Sequence, residues 1–223
     1  MADRSTRKGT SPGRKLARLL KRERVLWSEG HLRIAGVDEA GVGPLAGPVV
    51  AAAVVFPAGI GIRGVDDSKK LAPERREELA VEIRAAAAGF AVAVVEPQEI
   101  DRLNIYRASL EAMRRAVLAL PAPPEIVLVD ARTIPGIQAL QEPIVRGDAT
   151  CHAIAAASIL AKVERDRLMT RYDEEYPGYG FAAHKGYPTE SHRDAIRRLG
   201  PCAIHRRSFT LLPPRTLFEW VRP

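Results

Sequence analysis

The spacing of apolar and polar residues along the chain predicts an α/β protein. Apolar runs with the length of strands occur at 33–37, 49–56, 90–95 and 126–129, with a shorter one at 143–145. Apolar residues recur at helical spacing at 16–29, 72–88, 108–120, 149–172 and 189–199. The first two strands follow each other across a turn, whereas the later ones alternate with helices. We therefore expect a mixed central sheet flanked by helices.

The chain divides into a short tail and one domain. Residues 1–15 are rich in Ser, Thr, Gly and Arg, which predicts a disordered basic tail. Residues 16–223 are predicted to form a single domain that ends in a helical extension at about 176–223. A chain of 223 residues with 46 % hydrophobic content suits one sizeable core, and we expect a monomer.

Several features favour a cytoplasmic protein with no membrane partner. No apolar run has the length of a membrane span, and the basic N-terminus lacks the apolar stretch of a secretory signal. Two cysteines, Cys151 and Cys202, do not make a disulfide framework and are typical of a reducing compartment. We expect both to be small buried residues.

The charge is unevenly placed along the chain. Residues 1–33 hold ten Lys/Arg and three Asp/Glu, which is +7 and equals the net charge of the whole chain. Residues 184–223 hold eight basic and three acidic residues, which leaves −5 for residues 34–183. An acidic centre between basic ends favours a metal site beside a surface that binds a polyanion, although a basic tail can also serve solubility alone.

The most informative stretch runs from Val37 to Pro48. Asp38 and Glu39 end an apolar run, and three glycines and two prolines follow them. The glycine turn allows close backbone approach to a ligand. In an ideal strand the two acids would point to opposite faces, so both serve one site only if the chain turns there.

Two further acids follow short apolar runs, Asp130 after 126–129 and Asp148 after 143–145. Taken alone, each is best explained as an ordinary loop acid. Together with Asp38 and Glu39 they predict four carboxylates at one edge of the sheet. Such a site selects hard cations, Mg²⁺ or Mn²⁺, and no Cys/His spacing resembles a zinc site.

Long motifs make the chain resemble the bacterial ribonuclease HII family from about Arg33 to Phe209. The motifs are, in order, 38–41 with 43–48, 66–71, 147–149, 154–163 with 165–167, 176–181, 184–187 and 205–209. So many blocks in the same order do not arise by chance.

The resemblance implies a ribonuclease H-like fold with a small C-terminal helical part. It also implies an endonuclease, acting in DNA replication and repair, that cleaves the RNA strand of RNA–DNA hybrids and cuts 5′ of ribonucleotides embedded in duplex DNA. By motif, its metal-binding and catalytic acids are Asp38, Glu39, Asp130 and Asp148. Its substrate-reading turn maps to Gly41, Val42 and Gly43, and its junction-sensing tyrosine to Tyr187.

The chain departs from the family pattern at two places. The turn's arginine is Val42 here, which removes a five-donor cation able to grip a phosphate. The backbone of the turn can still contact a 2′-hydroxyl, so the departure bears on substrate grip and junction preference rather than on chemistry. The family's glycine and asparagine after the third acid are Ala131 and Arg132.

Other polar and aromatic residues are candidates for substrate contact. Contacts to the DNA backbone are predicted for Ser68, Lys69, Lys70, Lys185, Arg206, Arg207 and Ser208, and a stacking role on sugar for Tyr187. Packing is the better explanation for Tyr179 and Phe181, and a structural role for His152. Helix salt bridges suffice for Lys162, Arg165 and Asp166.

Two other functions compete with two-metal-ion hydrolysis. A hybrid-binding protein with weakened catalysis is suggested by Val42, but it would not need four converging acids. A related nuclease acting on other DNA is disfavoured by Tyr187 and the glycine turn. Separately, residues 215–220 loosely resemble peptides that dock on a replication sliding clamp, although packing on the domain explains them better.

Overall fold

A computed structural model describes residues 12–212, which form a five-stranded sheet with helices on both faces. The strands are β1 (Ile34–Ala40), β2 (Val49–Val55), β3 (Gly89–Val95), β4 (Ile126–Asp130) and β5 (Leu140–Ile144). The helices are α1 (Pro12–Leu19), α2 (Lys21–Ser28), α3 (Pro73–Ala86), α4 (Pro97–Leu103), α5 (Ile105–Leu118), α6 (Gly147–Thr150), α7 (His152–Glu175), α8 (Phe181–His184) and α9 (Glu190–Leu199).

The sheet is mixed, as predicted. Its strand order is β3-β2-β1-β4-β5, with antiparallel pairing on one side of β1 and parallel pairing on the other. The hairpin of β1 and β2 arises from the glycine turn, and the parallel strands arrive through helical connections. The predicted α/β class, with a mixed central sheet flanked by helices, is confirmed.

The core has two main layers, one on each face of the sheet. On one face α5 packs with alternate residues of β1, β2 and β3, and on the other α7 and α3 pack with the intervening residues. Small residues bring α7 close to the sheet: a Cβ on Gly36 would overlap the backbone of Ala153. The acids of β1 therefore lie between two helices that are held firmly against the strand.

Several boundaries differ from the predicted ones. The predicted helix 16–29 is two helices, and residues 12–15 of the predicted tail form the first turn of α1. The predicted helix 149–172 is broken at Cys151, whose backbone is extended, into α6 and α7. The strand predicted at 143–145 is β5, which begins at Leu140, and α4 and α8 were not predicted.

The remaining predictions for the ends of the chain lie outside the described residues. These are residues 1–11 of the tail and the clamp-like segment 215–220. None of the helices within residues 12–212 combines the length and apolarity needed to cross a bilayer.

Candidate active site

Two acids occupy neighbouring positions in the middle of the sheet. β1 and β4 are adjacent and parallel, with Val37 opposite Val129, so Asp38 and Asp130 are the next residues along each strand. Asp130 ends β4, and its Oδ1 accepts a hydrogen bond from the backbone N–H of Gly147 at 2.7 Å. This bond ties the end of β4 to the start of α6.

Asp148 lies in α6 and joins these two acids from the side of β5. Lys69, from the loop before α3, places its Nζ 3.6 Å from Asp148 Oδ2. Partial burial acts to lower the pKa of Lys69, but the charges of Asp148, Asp38 and nearby acids outweigh it and raise that pKa. Lys69 therefore stands as a countercharge over the acids.

The acids destabilise one another's charge. Burial, then the charges of Glu39 and Asp130, raise the pKa of Asp38 well above its usual range, while the Ser158 hydroxyl opposes the shift. Burial, then the charge of Asp148, likewise raise the pKa of Asp130 against the Gly147 hydrogen bond. Such mutual repulsion is what a bound cation relieves.

Glu39 faces the other side of β1. The strand continues through both acids to Ala40 before the turn begins, so the bend expected between Asp38 and Glu39 is absent. Asp38 interacts with Ser158 of α7. The pKa of Glu39 is raised, chiefly by burial, and the opposing effects of Arg132 and of Ser109 of α5 do not cancel this shift. Arg132 Nη1 lies 3.3 Å from Glu39 Oε1.

The four acids fit a divalent cation by their chemistry, since all their donor atoms are oxygen and they repel one another. As the side chains stand, however, no three His, Cys, Asp or Glu residues within 12–212 converge closely enough to hold a metal ion. Asp38 and Glu39 have different side-chain neighbours on the two faces of β1, so these two acids do not share a point as they stand. Metal binding at this place requires the side chains to turn towards a common point.

The glycine turn follows β1 directly. Gly41 has φ +97, and a Cβ there would lie 2.6 Å from the carbonyl oxygen of Pro48 and against the Arg165 guanidinium. Only glycine therefore fits. Gly43 is exposed, and a Cβ there would lie 3.9 Å from Tyr187 Cε1. The structure thus brings the turn and the predicted junction-sensing tyrosine together.

A buried arginine holds the turn from below. Arg206 Nε donates to the carbonyl of Gly47 at 2.9 Å and Nη1 to that of Val42 at 3.0 Å, while Nη2 donates to the carbonyls of Gly41 and Pro48. Its side chain is fully buried, and burial, then the charge of Arg165, lower its pKa to about 9.

A second buried arginine completes this support. Arg165 of α7 donates from Nε to Pro48 O at 3.0 Å, from Nη1 to Lys185 O at 3.0 Å and from Nη2 to Ala46 O at 3.1 Å. Burial lowers its pKa to about 10. The two guanidiniums satisfy carbonyls that the tight turn leaves without backbone partners.

Tyr187 lies at the surface beside two cations. Its side chain is 41 % exposed, and Lys162 Nζ and the Arg165 guanidinium each lie 6.0 Å from the ring centre. The exposed ring next to the glycine turn offers a flat surface to a sugar or base.

A chain of neutral histidines fixes the backbone of Tyr187. His192 Nδ1 lies 2.9 Å from Tyr187 O, His192 Nε2 lies 3.1 Å from His205 Nε2, and the Cys202 N–H donates to His205 Nδ1 at 3.0 Å. His205 Nδ1 accepts from Cys202, so His205 Nε2 carries the proton and donates to His192 Nε2, and His192 Nδ1 donates to the Tyr187 carbonyl. Each ring therefore carries one proton, because two imidazolium rings would have no acceptor nitrogen between them. Burial lowers the pKa of both histidines to about 4, which keeps them neutral.

A family model described as ribonuclease HII matches residues 35–212. The chain belongs to the ribonuclease HII family. The ribonuclease HII of Myxococcus xanthus (strain DK1622) is 55 % identical over 203 residues, which are 91 % of this chain and 69 % of the relative. That of Moorella thermoacetica (strain ATCC 39073 / JCM 9320) is 57 % identical over 187 residues, 84 % of this chain and 91 % of the relative.

A solved structure of ribonuclease HII agrees with the fold. The Archaeoglobus fulgidus ribonuclease HII, solved in complex with PCNA, is 31 % identical with a TM-score of 0.67, covering 84 % of this chain and all of that one. The resemblance predicted from the motifs is confirmed, and so is the prediction that the chain is a ribonuclease H-type endonuclease.

The structure corrects some of the predicted substrate contacts. Ser68 is buried, with its hydroxyl 2.9 Å from that of Ser158. Arg206 is buried under the turn, so neither side chain reaches a phosphate from where it stands. Ser208 is exposed but binds Asp101 through its N–H and hydroxyl.

Lys69 and Lys185 remain close to solvent. Lys69 is largely exposed beside Asp148. Lys185 Nζ donates to Thr170 Oγ1 at 2.8 Å and to Asp166 O at 3.2 Å, which holds the lysine along α7. Of the cations predicted to contact the DNA backbone, Lys69 is the one that stands over the acids.

Three residues shape the site in ways that the sequence does not predict. Ser158 faces Asp38, and Arg132, a departure from the family pattern, pairs with Glu39. Arg165, expected in a helix salt bridge, is instead buried beneath the turn; the predicted bridge is that of Lys162 with Asp166 at 2.6 Å. The sequence does contain an indication that Arg165 is buried, because it lies four residues after Ala161 and so on the same buried face of the helix.

Proposed function

We propose that this protein hydrolyses the RNA strand of RNA–DNA hybrids and cuts on the 5′ side of single ribonucleotides embedded in duplex DNA. The observation that carries the proposal is the direct succession of Asp38, the glycine turn and Tyr187 in space. Carboxylates for phosphodiester chemistry lie beside a backbone able to approach a 2′-hydroxyl. A role in ribonucleotide excision repair and RNA primer removal follows from this substrate.

Asp38, Glu39, Asp130 and Asp148 would hold Mg²⁺ or Mn²⁺ in a two-metal-ion scheme. Bound ions supply an activated water and charge stabilisation at the leaving oxygen of the scissile phosphodiester. The protein needs no side-chain nucleophile. Lys69, which stands over Asp148, would move to a phosphate of the substrate when the acids are neutralised.

Recognition of the ribonucleotide would rest on the main chain of 41–43 and on Tyr187. The carbonyls of Gly41 and Val42 are engaged by Arg206, so the N–H groups are the free donors of the turn. A 2′-hydroxyl can accept such a bond, and deoxyribose cannot. Tyr187, exposed beside Gly43, would stack on the neighbouring sugar.

The competing function, a hybrid-binding protein with weakened catalysis, finds little support. Val42 removes a cation from the turn but leaves the acids intact, and both buried arginines still hold the main chain. The change therefore bears on how tightly substrate is held.

The deciding experiment compares three end-labelled duplexes: one with a single embedded ribonucleotide, one continuous RNA–DNA hybrid and one of DNA alone. With Mg²⁺ or Mn²⁺ we expect cleavage of the first two, a cut 5′ of the single ribonucleotide, and no cleavage of the third. Asp38→Asn, prepared in parallel, excludes a contaminating nuclease. Tight binding of the hybrid with no cleavage in either metal would instead establish the binding protein.

A further inference from the structure

The helices α1 and α2, residues 12–28, lie before the region that the family model matches. They are nevertheless fixed to the catalytic domain. Lys15 pairs with Asp66, and Arg22 binds both carboxylate oxygens of Glu142 in β5 at 2.7–2.8 Å. Leu19, Leu20 and Leu26 are each buried to 97 % or more.

The deepest anchor is an acid. Glu23 is 2 % exposed, and its Oε1 accepts a hydrogen bond from the backbone N–H of Ala153 at 2.9 Å. A carboxylate from α2 thereby caps the first turn of α7, the helix that carries Ser158 and Arg165. The helix pair is part of the folded domain rather than a loose appendage.

The charge that this pair presents to solvent is entirely cationic. The exposed ionisable residues of 12–28 are Arg14, Arg18, Lys21 and Arg24, while the one acid of the pair, Glu23, is buried. Arg14 and Arg18 are four residues apart on α1 and so share one face. Backbone bonds from Leu20 to Leu16 and from Arg24 to Leu20 carry the helical ladder across the junction of the two helices.

The helix pair lies next to elements that carry site residues. α1 contacts α6, the short helix that carries Asp148, and Lys15 pairs with Asp66 just before the loop of Lys69. The body of the chain, residues 34–183, has a net charge of −5, which repels a polyanion. A cationic surface beside the acids is what would offset this repulsion.

We propose that the exposed face of α1 and α2 binds the phosphate backbone of the DNA that flanks the cleavage site. This inference rests on the proposed function for the identity of the duplex. Residues 12–28 extend over at most about 25 Å, which corresponds to about seven base pairs at ~3.4 Å each. The contact is blind to base sequence and lies on one side of the cut.

The test measures duplex binding by Arg14→Gln/Arg18→Gln against a matched control, Arg102→Gln/Arg107→Gln, which removes the same charge from exposed positions on α4 and α5. Binding is measured without divalent cations, so no cleavage occurs. The slope of log affinity against log salt should become shallower by about 0.9 for each phosphate that the variant no longer neutralises. The control should keep the slope of the unmodified chain.

A second series shortens the duplex stepwise on either side of the ribonucleotide. Affinity of the unmodified chain should fall when one flank loses about seven base pairs, whereas Arg14→Gln/Arg18→Gln should be insensitive to that flank. An unchanged salt slope overturns the proposal. An equal loss of affinity on short and long flanks also overturns it, because that would mean a general binding defect. The proposal fails as well if the unmodified chain binds phosphatidylserine vesicles while its affinity for duplexes does not depend on flank length.

The outcomes separate this inference from the proposed activity. If the chain binds flanking DNA through this face but does not cleave, only the activity fails. If it cleaves normally with an unchanged salt slope, only the docking face fails. Equal thermal unfolding midpoints for both double variants and the unmodified chain establish that the comparison concerns folded protein.

Discussion

Arg206 Nη1 donates a hydrogen bond to the carbonyl oxygen of Val42 at 3.0 Å. The guanidinium thus fixes the main chain at the position of the turn where the motif resemblance implies an arginine, while the side chain of Val42 stays half-buried at the surface. Main-chain geometry and side-chain identity at position 42 are therefore separable.

Val42→Arg should raise kcat/KM on a duplex with one embedded ribonucleotide. The backbone is already held by Arg206, so the new side chain adds a cation that can reach the neighbouring phosphate. A charge-assisted bond contributes about 1.5–3 kcal/mol, or roughly ten- to a hundredfold. Values within about twofold of the unmodified chain, far below that range, would show that another cation has taken the role. Val42→Gln, with no charge, is the matched control.

Arg206→Lys should lower both stability and selectivity. One ammonium group cannot replace three nitrogens that serve four carbonyls, and each carbonyl left unsatisfied costs about 1–3 kcal/mol. We expect a lower urea midpoint and a smaller preference for the embedded ribonucleotide over a continuous hybrid, as the turn loosens. Arg198→Lys, exposed on α9, should change neither. If the variant is less stable but keeps the same preference for the embedded ribonucleotide over the continuous hybrid, Arg206 contributes to folding and not to selectivity.

Asp38→Asn and Asp130→Asn should each reduce cleavage by at least about a hundredfold, equivalent to roughly 3 kcal/mol of lost charge stabilisation. Thermal stability should stay level or rise in Asp38→Asn, because burial and neighbouring carboxylates raise the pKa of Asp38 and so disfavour its charged form. Asp194→Asn on α9 is the control. Wild-type rates in either variant would remove that acid from the catalytic set.

Stability should depend on His152 at acidic pH. Its Nε2 accepts the Ile62 N–H at 2.9 Å, and burial lowers its pKa to about 4. The unfolded chain, with a histidine pKa of about 6.5, binds the proton first, so this group weakens the fold as pH falls from about 6.5 to about 4, by up to ~3 kcal/mol. His152→Gln, which keeps an acceptor, should lose less stability over that range. Parallel curves for the two chains would contradict the assignment.

Sequence patterns located the acids because each follows a run of apolar residues, and such runs are strands. They located the turn because Gly41 and Gly43 permit backbone that other residues resist. They did not show that β1 continues through Glu39, since two adjacent acids look like the end of a strand. The strand continues because Glu39 pairs with Ala51 in β2 and its side chain forms an ion pair with Arg132 on the face of the sheet opposite Asp38.

The buried arginines and histidines escaped prediction for a different reason. Arg165 and Arg206 are charged residues in polar stretches, which suggests solvent, and their partners are carbonyls of a turn far away in the chain. The hydrogen-bond chain of His192 and His205 joins a helix to a loop, and only the folded backbone aligns the rings. Periodicity carries no information about such contacts.

The capping of α7 by Glu23 means that the unit which folds is longer than the region that the family model matches. A chain cut at residue 35, where the family match begins, would lose the acceptor for the Ala153 N–H and uncover Cys151 and Ile34 where Leu26 now packs. The long helix beneath the acids would then start without its counterion. The start of the family match is therefore not the start of the folded unit, and α2 belongs to the enzyme's architecture as much as the acids do.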